Sequence, residues 1–310
     1  MIKRSLYFGN PAYLSLKLRQ LVIRKPEVKG DMPDFDDAGT YREVVKTIPI
    51  EDIGLIVLDC QQITVTEGLL EALLENNCAV VTCDKSHLPV GLLLPLYGNK
   101  IQAERYQEQI NASLPLKKQI WQQTVQCKIR NQAAMLKYVT GQEAKNMLIW
   151  ADSVKSGDAD NLEGRAAAFY WKSVFIDNPR FTRSDDDIVN AMLNYGYAIV
   201  RAIVARALVG AGLIPTVGVH HHNRYDAYCL ADDIMEPYRP YVDRLVIDIV
   251  NTGIPEELDV NVKRVLLELP VKEVIIDGIR RPLMLAVSQT VNSLQKCFSG
   301  SSSKVIYPSM

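Results

Sequence analysis

The sequence lacks the cysteine patterns of a disulfide-stabilised or zinc-binding protein. Its six cysteines are scattered over 310 residues, and no two of them form a Cys-x-x-Cys pair. Small secreted domains held by disulfides and structural zinc clusters both depend on closely spaced cysteines. This absence favours a reducing compartment, so we expect a cytoplasmic protein.

The chain also lacks an excess of charge and a long unbroken apolar run. Its 35 basic and 36 acidic residues give a net charge of −1, so contact with nucleic acid would depend on a local basic patch. The first twenty residues have no apolar core or cleavage site typical of a secretory signal. The most apolar run, from Tyr197 to Val219, is interrupted by Arg201 and Arg206. It therefore predicts a buried or interface helix and no contact with a membrane.

The segments that are present divide the chain near residues 95–103. In residues 1–97, Leu14, Leu16 and Leu18 alternate with polar residues, and "LIVLDC" and "CAVVTCD" are apolar runs typical of buried strands. Between those runs, "TEGLLEALLENN" has helical spacing, with Thr66 as the N-cap. Residues 24–41 are rich in Pro, Gly and Asp and predict a loop. The first part is therefore a small β-rich domain.

Residues 98–298 predict a mostly helical domain. From Lys100 to Lys155 the only proline is Pro115, and "KQIWQQTVQCKIRNQAAMLKYV" places apolar residues at helical intervals. Residues 299–310 begin with "SGSSSK" and predict a flexible tail. Together the two parts indicate an α+β protein.

A long apolar helix following Ser184 carries a narrow polar stripe. Ser184 and Asp187 resemble a capping box. The stripe, which falls on one helix face, consists of Asn190, Asn194, Tyr197 and Arg201. Because the rest of this helix is apolar, these side chains need hydrogen-bond partners. The residues leave open whether the stripe is a structural network or the lining of an active-site cleft.

The segment "GVHHHNRYDAYCLADDIMEPYRP", which starts at Gly218, holds three of the four histidines. Successive side chains of an extended segment point in different directions, so we expect one of the three histidines to be a metal ligand. Asp233 and Glu236 would share one face of a helical turn. A histidine with carboxylates suits Mg²⁺ or Mn²⁺, which could polarise a phosphodiester. A zinc site has no second cysteine suitably spaced from Cys229, and a solvated loop is the other alternative.

Two further residues have both a structural and a functional interpretation. Glu163, in "NLEGRAAAFYW", lies in the first turn of a predicted helix, where the helix dipole favours a carboxylate whether or not it binds a ligand. Arg239 has a planar guanidinium that could hold a carboxylate or a phosphate.

Taken in order, the blocks of this sequence resemble the family of CRISPR-associated integrases. These proteins are the larger, catalytic subunit of the complex that inserts spacers into CRISPR arrays, and the resemblance is to the version found beside type II systems. The matching blocks are "LIVLD", "TVTEGLLEALLENN", "CDKSHLPVGLLLPL", "WQQTVQCKIRNQAAML", "LEGRAAAFYW", "NAMLNYGYAIVRA" and "GVHHHNRYDAYCLADDIMEPYRPYVD".

The resemblance implies a β-sandwich-like N-terminal domain with the dimer and partner contacts, and an all-α catalytic domain. It implies a prokaryotic homodimer that assembles with a small ferredoxin-like partner, acts on double-stranded DNA and contacts the effector nuclease of the same system. The reaction would be transesterification, in which the 3′-hydroxyls of a captured DNA fragment attack the repeat.

The resemblance also implies the site residues. Glu163, His221 and Glu236 would be catalytic and would bind Mg²⁺ or Mn²⁺. Further participants or alternatives are Asp233, His220 and His222. The candidates for contacts with DNA are Arg165, Lys128, Asn194, Tyr197, Arg201, Arg280 and Arg281. The competing hypotheses are a non-catalytic, dimeric helical scaffold that binds DNA or protein, and a stand-alone repair nuclease.

Overall fold

The chain folds into two compact units. A computed structural model describes residues 3–26, 28–29, 32–33, 43–175, 181–183 and 187–310. The units are Met1–Leu96 and Tyr97–Met310, so they meet one residue before the expected boundary. Strands dominate the first unit and helices the second, which confirms the predicted α+β class.

The N-terminal unit contains two sheets with a common core. Its described elements are β1 (Arg4–Phe8), β2 (Ala12–Lys17), β3 (Gln20–Pro26), β4 (Val28–Lys29), β5 (Met32–Pro33), β6 (Glu43–Pro49), β7 (Ile53–Leu58), β8 (Ile63–Val65), α1 (Glu67–Glu75), β9 (Ala79–Cys83) and β10 (Pro89–Leu93). One sheet has the order β1-β7-β9-β10 and the other β6-β3-β2-β8. Leu14, Ile56 and Leu69 join both sheets and α1 in one buried cluster, as expected for a sandwich-like unit.

Local details of this unit differ from the sequence prediction. Leu14 is buried, but Leu16 and Leu18 are 37% and 87% exposed, because β2 ends at Lys17 and Leu18 lies in the turn to β3 with a φ of 50°. Thr66 precedes α1 without a capping hydrogen bond from its side chain. The predicted loop at residues 24–41 includes the end of β3 and the paired β4 and β5, and its other residues lie outside the described ones.

The C-terminal unit is built on two long helices. Its described elements are α2 (Gln102–Ile110), α3 (Leu114–Thr140), α4 (Lys145–Ser153), α5 (Leu162–Val174), α6 (Ile188–Gly210), α7 (Cys229–Met235), α8 (Arg239–Thr252), α9 (Val260–Leu266), β11 (Glu273–Ile276), β12 (Ile279–Pro282), α10 (Leu283–Phe298) and β13 (Pro308–Ser309). α3 packs on α4, α5 and α8, while α6 packs on α7, α8 and α10. α3 ends at Gly141, which adopts the left-handed conformation that glycine favours.

α6 is the predicted apolar helix, and it begins later than the capping box implied. The carboxylate of Asp187 accepts the N–H of Asn190 and caps the helix, whereas Ser184 lies outside the described residues. By length and composition α6 could cross a membrane. Most of its residues are buried within the unit, as in the core helix of a globular domain.

The residues predicted as a flexible tail are instead packed against the helical unit. β13 pairs with β11 and, together with β12, forms a three-stranded sheet, so this unit is not purely α-helical. The N–H of Val305 donates to Gln123 Oε1 at 2.9 Å, and the N–H of Met310 donates to Asn131 Oδ1 at 3.2 Å. The serine-rich composition extends only to Lys304, and the apolar Val305 beyond it is buried.

Candidate active site

Glu163 is held at the start of α5 by other capping residues. The carboxylate of Asp158 accepts the N–H of Glu163 at 3.0 Å and that of the preceding residue at 2.9 Å. Asn161 Oδ1 accepts the N–H of Gly164 at 3.2 Å. Because these side chains satisfy the free N–H groups, the Glu163 carboxylate is not the cap. Its Oε1 accepts a hydrogen bond from Lys128 Nζ at 2.6 Å.

Glu236 is a buried, ionised carboxylate in the short 3₁₀ turn between α7 and α8. Its Oε1 accepts a hydrogen bond from Arg239 at 2.9 Å. Its Oε2 lies 2.5 Å from Lys128 Nζ and forms an ion pair with it. Burial disfavours the charged form, but the charges of Arg239 and Lys128 outweigh it and hold the pKa of Glu236 well below its usual range.

Lys128 links the two glutamates. Its side chain is 10% exposed, and its ammonium contacts both carboxylates. Oε1 of Glu163 and Oε2 of Glu236 therefore lie within two hydrogen-bond lengths of each other, although they come from different helical segments. Burial lowers the pKa of Lys128, but the negative charges of Glu236 and Glu163 raise it further, so the net shift is upward. Lys128 thus has two partners within the protein, and a contact between Lys128 and DNA stays a prediction.

The histidine segment is folded around Asp233, which is fully buried. Its Oδ2 accepts the N–H groups of Val219 at 2.7 Å and His220 at 2.9 Å, and its Oδ1 accepts that of His221 at 3.2 Å. A Cβ on Gly218 would lie 2.4 Å from the His221 carbonyl oxygen and 2.9 Å from the Asp233 carboxylate. This close approach explains the glycine. Both oxygens of Asp233 are thus occupied, and the residue positions the loop instead of acting as a further ligand.

His221 is the best placed of the three histidines to bind a metal. Its Nδ1 lies 2.6 Å from Asp233 Oδ1; because Asp233 acts as an acceptor there, Nδ1 donates and Nε2 keeps its lone pair. That bond raises the pKa of His221 against the effect of burial, and the charges of Asp233 and the two glutamates raise it further. His220 is stacked on Trp121 with ring centroids 4.1 Å apart, and His222 is exposed.

The donor set fits a hard divalent cation. It comprises two carboxylates and an imidazole nitrogen, and both carboxylates contact the same cation. The two carboxylates already hold a positive charge between them. As they stand, no three histidine, cysteine or acidic side chains in the described part of the chain are close enough together to hold a metal ion. Metal binding would therefore require these side chains to close in.

The first half of the α6 stripe is a structural network. Arg183 donates to Asn190 Oδ1 and, at 2.7 Å, to Asn194 Oδ1. Asn190 Nδ2 donates to the carbonyl of Thr182 at 2.8 Å. These bonds connect the start of α6 to the segment before it, and a contact between Asn194 and DNA stays a prediction.

The second half of the stripe is also engaged internally. Tyr197 and Tyr170 donate to the carboxylate of Asp243 at 2.5 and 2.8 Å. Burial raises the pKa of Asp243 to about 6, although both hydroxyl donors oppose the shift. Arg201 donates two hydrogen bonds to Asp232, at 2.6 and 2.9 Å. Tyr197 and Arg201 thus both have partners within the protein, and their contacts with DNA stay predictions.

The remaining candidates for DNA contacts stay accessible. Arg165 is exposed on α5 beside the site. Arg280 and Arg281 lie on β12, and the Arg280 side chain is 76% exposed. Arg281, Lys296 and Lys304 line a cleft of about 690 Å³, whose described lining has no acidic residue. These cations lie where a phosphate backbone could reach them.

The sequence interpretation missed the role of Lys128 as the partner of both glutamates. One signal was present: Thr124, Lys128, Asn131 and Gln132 are polar, yet they recur on the same face of α3 as the apolar Trp121. Polar side chains on a buried face need partners from other elements. No spacing within α3 identifies those partners.

The chain resembles Cas1 proteins over nearly its whole length. Residues 6–279 match the family described as "CRISPR associated protein Cas1". The chain is 37% identical over 298 residues to the CRISPR-associated endonuclease Cas1 of Neisseria meningitidis serogroup C (strain 8013), a match covering 95% of this chain and 92% of that protein. The chain therefore belongs to the Cas1 family of CRISPR-associated proteins.

Solved structures share the fold. One, described as "Casposase bound to integration product", has a TM-score of 0.77 and 20% identity and covers 98% of this chain and 92% of its own. Another, a "Cas6-RT-Cas1--Cas2 complex", has a TM-score of 0.71 and 20% identity, with 98% of this chain and 36% of that chain covered. At this identity the likeness establishes the architecture only.

Proposed function

We propose that this Cas1-family protein is a divalent-metal-dependent DNA endonuclease and integrase of CRISPR adaptation in a type II system. The main support is that Glu163 and Glu236, which come from separate segments, contact the same ammonium, and that the charges of both carboxylates raise the pKa of His221. The name of the Neisseria relative, an endonuclease, and that of the casposase neighbour bound to an integration product agree with this activity.

The proposed reaction is transesterification. The 3′-hydroxyl of a captured DNA fragment attacks a phosphodiester at the edge of the repeat, forming one P–O bond while the bond to the departing 3′-oxygen breaks. The attacking hydroxyl loses its proton and the departing oxygen gains one. No covalent enzyme intermediate is needed, so positioning of the two DNA molecules contributes much of the rate acceleration.

Mg²⁺ or Mn²⁺, held by Glu163, Glu236 and Nε2 of His221, would neutralise charge at the phosphodiester. The protein's own residues prepare this site. Asp233 fixes the orientation and tautomer of His221, and Arg239 keeps Glu236 ionised despite its burial.

We also propose the partners. The protein would act on double-stranded DNA in the prokaryotic cytoplasm as a homodimer joined to a small ferredoxin-like subunit, and it would contact the effector nuclease. The Cas1–Cas2 neighbour supports such a complex. The cleft lined by Arg281, Lys296 and Lys304 would take the DNA backbone, so charge reversal at Lys296 and Lys304 should weaken DNA binding and lower its salt dependence.

A strand-transfer assay with purified protein, partner subunit and Mn²⁺ tests this function. Glu163→Gln should reduce integration at least about a hundredfold, since mutation of a metal ligand removes charge stabilisation in the transition state. Glu143→Gln, at an exposed surface pair, is the matched control. Normal integration by the Glu163 variant, or activity unaffected by EDTA, would exclude the proposal. DNA binding without turnover would favour the scaffold, and integration without the partner would favour a stand-alone nuclease.

A further inference from the structure

The position of Lys128 raises the question of how a metal could enter. Its ammonium lies 2.6 Å from Glu163 Oε1 and 2.5 Å from Glu236 Oε2. These carboxylates are the ones that would hold a divalent cation. Because a second positive charge at hydrogen-bond distance would be strongly repelled, the ammonium and the metal compete for the same oxygens.

Lys128 has room to move. A cavity of about 120 Å³ adjoins the site and is lined by Lys128, Gln132 and Asp243 among others. Gln132 lies one helical turn beyond Lys128 on α3, so the two side chains share a face. Gln132 is 4% exposed, and its Oε1 has no hydrogen-bond donor within the described residues.

Because Gln132 Oε1 adjoins this cavity, it can accept a hydrogen bond from a donor that moves into the cavity. A buried acceptor without a donor costs about 1–3 kcal/mol, so such a bond would stabilise the withdrawn ammonium. An ammonium withdrawn from the carboxylates must stay paired, because an isolated buried charge is strongly destabilising. Gln132 Oε1 offers a hydrogen bond. Asp243 on the same cavity wall also carries negative charge, although it already accepts from Tyr170 and Tyr197 and shares the cavity with Arg183 and Arg239, so Gln132 is the acceptor that the ammonium would use. The long, flexible lysine side chain can make this change without backbone movement.

We propose that Lys128 is an internal counter-cation that occupies the carboxylate pair in the metal-free protein and withdraws onto Gln132 Oε1 when a divalent cation binds. Lys128 is thus a positioning residue: it keeps Glu163 and Glu236 together before the metal arrives. The inference rests on the proposed function, because it concerns how the same carboxylates accept a metal.

Direct Mn²⁺ binding by isothermal titration calorimetry, on the full chain without DNA, tests the first half of the proposal. Lys128→Met removes the competing charge but keeps the length of the side chain, so we expect Mn²⁺ to bind about tenfold more tightly or better. Lys137→Met, on an exposed turn of the same helix, should leave the affinity unchanged. The Lys128 variant should also unfold at a lower temperature without metal and recover with Mn²⁺, because Glu163 then loses its cation and the buried Glu236 keeps only Arg239.

A double-mutant cycle tests the withdrawal. Gln132→Leu should weaken Mn²⁺ binding about three- to tenfold in the wild-type background, where the ammonium needs the acceptor, and have no effect in the Lys128→Met background. If Lys128→Met fails to fold without metal, Lys128→Gln, whose amide can still donate to the carboxylates, takes its place in both experiments.

The outcomes are distinguishable. Unchanged or weaker Mn²⁺ binding by the Lys128 variant, with binding abolished by Glu163→Gln, overturns the counter-cation role and leaves the metal site intact. An equal effect of Gln132→Leu in both backgrounds overturns the withdrawal. Failure of every protein, wild type included, to bind Mn²⁺ overturns the proposed metal-dependent function and this inference with it.

Discussion

Replacement of Asp233 by asparagine is the most informative single change near the site. The Asp233 carboxylate accepts three backbone N–H groups and contacts Nδ1 of His221. In the asparagine variant one oxygen becomes an NH₂ donor. If the remaining oxygen keeps its hydrogen bonds from the N–H groups of Val219 and His220, the new NH₂ group faces the backbone N–H and the ring Nδ1 of His221.

The size of the effect follows from these contacts. Hydrogen bonds to charged groups contribute about 1.5–3 kcal/mol each, and the variant loses at least one acceptor bond together with the charge, so we expect destabilisation of about 2–4 kcal/mol. Nδ1 of His221 would then accept from the amide, which moves the ring proton to Nε2. That tautomer cannot bind a metal through Nε2, so Mn²⁺ affinity should fall about 10- to 100-fold.

Urea denaturation and Mn²⁺ calorimetry measure the two effects. Asp232→Asn is the matched control: it lies one residue earlier, its side chain is 13% exposed and that of its partner Arg201 is 40% exposed, so its loss should cost less than that of the fully buried Asp233. An Asp233 variant that matches wild type within about 0.5 kcal/mol and binds Mn²⁺ normally would refute the assigned role of Asp233.

Three further predictions concern the same unit and its neighbour. Gly218→Ala should destabilise the protein by about 2 kcal/mol or more, because its Cβ would lie 2.4 Å from the His221 carbonyl oxygen. Gly68→Ala in α1 is the control: no atom lies within 4 Å of the new Cβ, so this change should stabilise the protein by up to about 1 kcal/mol. Urea denaturation compares the two variants. Because burial raises the pKa of Asp243 to about 6, above its unfolded value of about 3.9, its contribution to stability is present below pH 4 and lost as pH rises through 6. The unfolding free energy of the wild type should thus fall by up to about 3 kcal/mol more than that of Asp243→Asn between pH 4 and 7.5. Parallel pH profiles for the two proteins would contradict this. The amides of Val305 and Met310, which donate to Gln123 and Asn131, should be protected in hydrogen exchange. Rapid exchange at these amides would instead support the flexible tail predicted from the sequence.

Elements defined by local patterns were predictable from the sequence. The continuous apolar runs of β7 and β9 and the helical spacing of α1 and α3 correspond to elements in the structure. In the sheet of β11, β12 and β13, the pairing of β13 with β11 through Ile275 and Ser309 joins residues distant in the chain and has no local signal. The hairpin of β11 and β12 did have one, the Asp277–Gly278 turn, and was missed. The flexible tail was predicted from the serines near Ser301. That prediction did not account for the apolar Val305, which is buried and holds the end of the chain against the helical unit.

The candidate site was predictable in its residue types but not in its arrangement. Glu163 and Glu236 were identified through the family resemblance. The ammonium of Lys128 between them could not be predicted, because that contact depends on the tertiary packing of separate helical segments. The same limit applies to Arg201, whose partner Asp232 could not be predicted from the sequence. Charged residues on helix faces do not reveal their partners, because an ion pair depends on which elements pack together.

Anomalous diffraction from crystals of the protein grown with Mn²⁺ would locate the metal directly. We expect one strong Mn²⁺ peak within bonding distance of the carboxylates of Glu163 and Glu236 and of Nε2 of His221. A peak elsewhere, or no peak with Lys128 still between the two carboxylates at saturating Mn²⁺, would contradict this expectation.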